Sequence, residues 1–371
     1  MKIGTDQHNT FDTMTMDCWN DRVYYEGKKF PAGQFAAEIL NFAGVIHDPL
    51  LERITVLTAL VDDLSTAEKS KRHDIAAQLK PLLHDTVSWL YTCPPFCYCE
   101  EQRAYEALEH ALSEERLDRD YEEEEAHLPY LALSFCEPIL RILVAIYNFC
   151  LLIRAFERKY LRESKQRNAD AFAKAAHECF DEDDSFLILL EQMPFGGVEE
   201  FFSYPRVITG FNYFQDENNE EKWKTAQRVI CKRAIDFYVF DLMNGLHHGH
   251  APSQCQGCGR YFLTTNGHIP KYCGGIAPQD SRYTCRQYGA MMHQKEQNKQ
   301  HPVYRLFNTR TDTIRKHHWR GKISDELRRE ALYLAGSYRD KALMDNDYAA
   351  DGYARDMELE HIYAEAEKRL K

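Results

Sequence analysis

The 371-residue sequence lacks the short motifs that mark several large enzyme classes. It has no glycine-rich phosphate-binding loop, no Gly-x-Ser-x-Gly nucleophile elbow and no His-Glu-x-x-His protease motif. Acidic residues are abundant, but their neighbours single out none of them as a general acid or base. These absences argue against P-loop hydrolysis, α/β-hydrolase chemistry and zincin-type proteolysis, and they favour a role without catalysis.

Long uninterrupted apolar segments are also missing. The most apolar stretch, residues 138–156, contains Arg141, Asn148 and Arg154, whereas a membrane span needs roughly 20 apolar residues in succession. We therefore expect a buried core helix there and no association with a membrane. The first residues show no apolar core of a secretory signal, so we expect a cytoplasmic protein. In that reducing compartment, clustering among the twelve cysteines indicates metal rather than disulfides.

Positive charge is in deficit overall, since 46 Lys and Arg face 58 Asp and Glu for a net charge of −12. Residues 255–322 reverse this balance, with 12 basic and 3 acidic side chains. One interpretation is an anionic partner such as DNA or RNA. The other is that this basic segment docks on the acidic remainder of the same chain.

Hydrophobic periodicity predicts a mostly α-helical protein. Residues 22–30 resemble a short strand pair around Gly27, and residues 195–219 resemble loops with one short strand at most. A helix is predicted over 220–246, because Ala226, Val229, Phe237 and other apolar residues follow a helical period. Later helices are predicted over 285–299, 303–318, 324–343 and 347–369, with Ser324 as an N-cap.

Four cysteines form the strongest chemical signal: Cys255, Cys258, Cys273 and Cys285. A Cys-x2-Cys turn supplies two thiolates from one tight knuckle, and zinc is held by four such ligands at tetrahedral corners. We expect a strand to leave the knuckle, turn at Asn266-Gly267 and return to Cys273. Thr284 is placed to cap a helix that begins near Cys285. The sequence therefore predicts one structural zinc ion.

Other potential ligands leave alternatives open. His250 or His268 can replace one of the four cysteines as a zinc ligand. Cys93, Cys97 and Cys99 can contribute to a second metal site, although the sequence shows no fourth partner nearby. Ordinary buried cysteines are the alternative explanation for these three residues.

The string C-x-x-C-G-R-Y-F, followed by K-Y-C and T-C-R-Q, resembles an uncharacterised bacterial family found mainly in Clostridia. The likeness covers roughly residues 220–345 and implies zinc binding without implying an activity. The knuckle, hairpin and helix are also similar in layout to treble-clef fingers, including the CGNR-type fingers of bacterial regulators. Here Cys285 is followed by Arg-Gln-Tyr instead of Gly-Asn-Arg, a departure that weakens the transfer of the regulator role.

Basic and aromatic residues are interleaved from the cysteine segment onwards. Basic groups contact phosphates and aromatic rings stack on bases, so this pattern predicts nucleic-acid contact. The competing explanation is a small aromatic core with a solvated charged surface. The candidate contact residues are Arg260, Lys271, Arg282, Arg286, Lys295, Lys299, Arg305, Arg310, Arg315, Lys316 and Arg320.

Three segments are expected: a helical body over 1–250 with a short N-terminal strand pair, a zinc module over 251–300 and a helical tail over 301–371. The first functional hypothesis is a non-enzymatic nucleic-acid-binding regulator or accessory protein. The second is a zinc-stabilised module that binds or scaffolds a protein partner. The third is an enzyme or toxin with its site in the helical body. The sequence leaves the oligomeric state open.

Overall fold

The computed structural model describes residues 11, 13–42, 49–118, 121–123, 126–128, 130–162, 164, 166–191, 206–216, 219–265, 267 and 271–370. Its contacts divide the chain into two compact units, Met1–Cys273 and Gly274–Lys371. The division falls inside the segment 251–300, which the sequence suggested as a separate module. The cause is that residues 251–264 pack within the first unit.

The first unit contains a five-stranded antiparallel sheet with the order β3-β2-β1-β7-β6. The predicted strand pair is confirmed as β2 and β3, and Gly27 adopts a φ of 70° in the turn between them. The five strands are β1 Met14–Trp19, β2 Arg22–Tyr25, β3 Lys28–Pro31, β6 Val207–Asp216 and β7 Asn219–Cys231. A separate small hairpin joins β4 Tyr121–Glu123 to β5 Ala126–Leu128.

The predicted helix over 220–246 is wrong in its first half, which forms strand β7, and the helix begins only at Ala234. β7 is hydrogen-bonded to β1 along one edge and to β6 along the other, and in its C-terminal half Ala226 is buried on one face and Val229 on the other. These two buried residues are three positions apart, a spacing that also fits a helix, so they hide the alternation by which strands are recognised. The one short strand predicted within residues 195–219 is the ten-residue strand β6. Residues 192–205 lie outside the described residues.

Helices form more than half of the described part of the first unit. The apolar segment forms α6, whose Phe149 and Ile153 are buried in the core. This helix and the turn after it are long and apolar enough to cross a membrane, but most of that window is buried inside the protein, as a core helix requires. The helices are α1 Gln34–Ile39, α2 Pro49–Thr66, α3 Lys69–Leu90, α4 Gln102–Ala111, α5 Glu114–Leu117, α6 Tyr130–Phe156, α7 Ala169–Phe180, α8 Asp184–Glu191 and α9 Ala234–His247.

Two strand pairs flank the cysteines. In the first unit, β8 Ala251–Gln254 pairs with β9 Tyr261–Thr264. In the second unit, β10 Ile276–Ala277 pairs with β11 Asp280–Thr284.

The second unit continues as helices around its own core, in which Ile314, Leu334 and Ile362 are buried. The three helices predicted over 285–343 are confirmed, and Ser324 caps its helix by accepting a hydrogen bond from Leu327 N–H. The predicted helix over 347–369 is interrupted by a π turn at Tyr348–Gly352 and again near Met357. The helices are α10 Cys285–Gln300, α11 Pro302–Trp319, α12 Asp325–Met344, α13 Tyr353–Asp356 and α14 Leu359–Leu370.

Candidate metal centre

The knuckle that carries Cys255 and Cys258 connects strand β8 to strand β9. Cys255 directly follows β8, and its N–H donates to the carbonyl of Arg260 at 2.8 Å. Gly259 closes the turn by donating to the carbonyl of Cys255 at 2.9 Å. Its φ of 73° is a left-handed conformation that glycine adopts without steric cost.

Cys273 returns to the knuckle by a different route from the predicted hairpin. The strand partner of β9 is β8, which precedes the knuckle, and residues 271–273 are not in a strand. Asn266 of the predicted turn lies outside the described residues. The return is made by two hydrogen bonds: Gln256 N–H donates to the Lys271 carbonyl at 2.9 Å, and Cys273 N–H donates to the Cys255 sulfur at 3.3 Å.

Cys285 is the first residue of helix α10 and follows the β10–β11 hairpin. Its N–H donates to the Gly275 carbonyl at 2.7 Å. The predicted cap at Thr284 is confirmed, since Thr284 Oγ1 accepts from Gln287 N–H at 3.2 Å and Gln287 Oε1 accepts from Thr284 N–H at 2.9 Å. This reciprocal capping box sets the start of the helix, and with it the position of the fourth sulfur.

The sulfur atoms of Cys255, Cys258, Cys273 and Cys285 all lie within 4.8 Å of one another. The Cys258 and Cys273 sulfurs are 3.6 Å apart. A tetrahedral metal with bonds of about 2.3 Å to sulfur places its ligands roughly 3.8 Å apart. The cluster can therefore hold a metal ion with small adjustments of the side chains. Cys258 is half-buried and the other three are buried.

Backbone amides favour the thiolate form of Cys255. Burial acts to raise its pKa, but N–H groups of Cys273, Cys258 and Gly257 are directed at the sulfur and hold its pKa at about 7. Two of these contacts measure 3.3 Å from Cys273 N and 3.4 Å from Gly257 N. Hydrogen bonds to the charged form favour it, and only the thiolate binds a metal.

The knuckle strands are anchored to the helical body by side chains that the sequence analysis did not identify. Buried Arg167 donates to Ser253 Oγ and Thr264 Oγ1, both at 3.0 Å, and so joins β8 to β9. Asn41 accepts from Tyr261 N–H at 2.7 Å and donates to its carbonyl at 3.0 Å. These partners lie about 90 to 220 residues apart in the chain, so no local pattern identifies them.

The other described candidate ligands are not part of this cluster. His250 is buried and its Nδ1 contacts the Ala32 carbonyl at 2.9 Å, and His268 lies outside the described residues. Among the described residues, Cys93, Cys97 and Cys99 belong to no group of three potential metal ligands. Cys99 instead contacts the Tyr25 hydroxyl at 3.3 Å, and burial raises its pKa to about 11.

Most of the candidate nucleic-acid-binding side chains lie on the surface. Arg282 pairs with Asp280 at 2.7 Å, Arg315 pairs with Asp312 at 3.0 Å, and Arg310 is half-buried. The side chain of Lys299 lies outside the described part. The exposed candidates are Arg260, Lys271, Arg282, Arg286, Lys295, Arg305, Arg315, Lys316 and Arg320.

Comparison with known proteins supports the coarse resemblance seen in the sequence. Searches of curated proteins and of solved structures each found no significant match. Residues 203–369, a little under half of the chain, match a family of unknown function (DUF6076). The matched region includes all four clustered cysteines and all but the last two residues of the second unit, so what this chain shares with that family is the region that contains the candidate metal centre.

Proposed function

We propose that the four-cysteine cluster binds one zinc ion whose role is structural. The proposal rests on one observation, that four sulfurs lie within 4.8 Å of one another. Four protein ligands complete the tetrahedral shell and leave no position for water or substrate, as in structural zinc sites. The order of knuckle, hairpin and helix start is also that of a treble-clef finger, and we propose this as the type of module.

The charge around the cluster supports a four-thiolate site. Zinc with four thiolates carries a net charge of −2, and the exposed Arg260 and Lys271 lie two residues from Cys258 and Cys273 in the chain. Amide and cationic groups near a thiolate site reduce the repulsion among its sulfurs. Iron is the competing metal for four sulfurs in this geometry.

Metal analysis of the purified protein tests this proposal. The wild type is expected to contain close to one zinc per chain, and Cys273→Ser substantially less. Cys97→Ser is the matched control, because Cys97 is exposed and outside the cluster. A wild type free of zinc, or one with the visible absorbance of an iron–thiolate centre, contradicts the assignment.

We further propose that the protein is a non-enzymatic, cytoplasmic nucleic-acid-binding regulator or accessory protein. The support is the exposure of the basic side chains on and before helices α10 and α11. Only 3 acidic residues accompany the 12 basic ones over 255–322, within a chain of net charge −12. Neutralising phosphates with such groups releases counterions, and this drives binding at low salt.

Binding of labelled duplex and single-stranded oligonucleotides, measured across a salt series, tests this role. The triple variant Arg286→Glu, Lys295→Glu, Arg315→Glu is expected to bind more weakly and to lower the salt slope by up to roughly three. The variant Lys71→Glu, Arg141→Glu, Lys174→Glu makes the same change of charge on exposed residues of the first unit and should bind like the wild type. Binding that ignores salt, or equal loss in both variants, contradicts the role.

A protein-interaction module remains the second candidate, because an aromatic surface supports it. Phe211, Tyr213 and Trp223 are 74%, 64% and 65% exposed and share one face of the β6–β7 hairpin. If this role is correct, Phe211→Ser with Trp223→Ser abolishes capture of the partner in pull-down experiments. The wild type then shows no nucleic-acid binding at all.

A further inference from the structure

Trp319 is the last residue of helix α11, and 86% of its surface is exposed. Its ring makes no aromatic or cation–π contact with a described residue of the second unit. By contrast, His317 contacts the Tyr363 hydroxyl at 2.9 Å, and His318 contacts the Ile323 carbonyl at 3.3 Å. The neighbouring rings therefore help to hold the end of the helix, while the indole projects into solvent.

Cationic side chains surround this indole in the sequence and on the helix. Arg315 and Lys316 lie four and three residues before Trp319, and residues at these spacings share a helix face. Arg320 and Lys322 follow it, where the chain turns at Gly321 with a φ of 68°. All four cations are exposed, and Asp312, paired with Arg315, is the adjacent carboxylate on the helix.

We propose that this end of α11 binds single-stranded nucleic acid, with the Trp319 indole stacked on an unpaired base and the cations on flanking phosphates. The inference rests on the proposed nucleic-acid-binding role and specifies its ligand. An exposed ring beside positive charge is the arrangement used for sequence-tolerant binding of single strands. In a duplex both faces of each base are already stacked, so the exposed indole has no comparable partner there.

The experiment compares binding of a labelled, mixed-sequence single-stranded DNA, the corresponding RNA and the blunt DNA duplex. Trp319→Ala is expected to weaken single-strand binding about 5- to 150-fold, the range for loss of one base-stacking contact. Trp319→Phe should restore most of the affinity, because phenylalanine also stacks. Trp319→Leu should not restore it, because leucine is apolar but has no ring. Tyr333→Ala is the matched control and should bind single strands like the wild type, since this tyrosine is 66% exposed on helix α12.

Each outcome decides the proposal. Loss of single-strand binding in Trp319→Ala with an unchanged duplex affinity supports it. Quenching of tryptophan fluorescence by single strands in the wild type, but not in Trp319→Phe, supports it as well. Nucleic-acid binding that is equal in wild type and Trp319→Ala overturns the stacking inference and leaves the broader role standing. Absence of all nucleic-acid binding overturns both. Binding of Trp319 to anionic phospholipid vesicles, with no binding of single strands, overturns both in favour of a membrane surface.

Discussion

The carboxylate of Asp241 accepts a 2.9 Å hydrogen bond from the backbone N–H of Gly33, 208 residues earlier in the chain. Its second oxygen accepts from Ala36 N–H, also at 2.9 Å. Helix α9 thereby caps helix α1, whose own N-cap is a glycine without a side chain. Soon after α1, Asn41 holds Tyr261 of strand β9. Together, these hydrogen bonds connect the helical core to the strands of the knuckle.

Replacing Asp241 with alanine should lower the free energy of unfolding by about 3 kcal/mol, because two N–H groups lose their acceptor in a buried position. Chemical unfolding followed by circular dichroism measures the change. Asp74→Ala removes an exposed carboxylate from helix α3 and should change stability by less than about 0.5 kcal/mol. Equal effects of the two substitutions would show that the Asp241 cap contributes nothing.

Asp241 should also make stability depend on pH. Burial raises its pKa to about 6, although the N–H groups of Ala36 and Gly33 act in the opposite direction. Since the folded pKa exceeds the unfolded value of about 3.9, the folded state holds the proton more tightly, and stability is lost as pH rises from about 4 to about 6.

The Asp241→Asn variant cannot lose this proton. The stability of wild type relative to Asp241→Asn should therefore fall by up to about 3 kcal/mol across that pH range and stay constant above it. Unfolding of both proteins at matched pH values measures the difference. A difference that is flat from pH 4 to pH 7 would be inconsistent with a raised pKa.

Gly245 should not tolerate a side chain. A Cβ at this position of helix α9 would lie 2.8 Å from Gly33 Cα and 3.1 Å from the Ala32 carbonyl oxygen, and backbone atoms cannot move aside cheaply. Gly245→Ala should destabilise the protein by about 1–3 kcal/mol. Gly336→Ala is the control, because that glycine is also in a helix but has no atom within 4 Å of its Cβ position.

The control substitution should stabilise helix α12 by about 0.5–1 kcal/mol, the difference in helix propensity between glycine and alanine. The two glycine variants are thus expected to shift the unfolding midpoint in opposite directions. A stabilising effect of both would mean that α9 can move away from Gly33.

Arg167 should influence the metal affinity of the cysteine cluster although it is not one of the proposed ligands. Its guanidinium joins Ser253 to Thr264 beneath the knuckle, and a lysine ammonium cannot reach both hydroxyls with the same geometry. Arg167→Lys should weaken zinc affinity by roughly tenfold, in the range known for supporting residues. Competition with a chromogenic chelator measures the affinity, and Arg158→Lys, on an exposed residue, should leave it unchanged.

Removal of the proposed zinc ion should loosen the cysteine segment locally and leave the helical core folded. The β8–β9 pair has its own anchors in Arg167 and Asn41, whereas residues 271–273 return to the knuckle through a few hydrogen bonds. After chelation, trypsin should cut faster after Lys271 and Arg282, with little change in helical circular dichroism. Loss of most helical signal would instead show that the ion is required for the whole fold.

The local geometry of the candidate metal centre was predictable from the sequence. The spacing of Cys255 and Cys258, the glycine after them, the cap at Thr284 and the helices of the second unit all depend on neighbours within a few residues. Turn and cap geometry is short-range, so the order of residues specifies it. Zinc binding and nucleic-acid binding stay predictions.

Tertiary structure decided what depends on distant parts of the chain. Strand β7 resembled a helix because its buried residues Ala226 and Val229 lie on opposite faces of the sheet, three positions apart, which is also a helical spacing. The partner of β9 was β8 rather than residues 271–273, since Arg167 and Asn41 hold that pair against the first unit. The sequence by itself determined which residues can bind a metal. Only the folded chain determined how their sulfurs come together, because the contacts that position them join residues far apart in the chain.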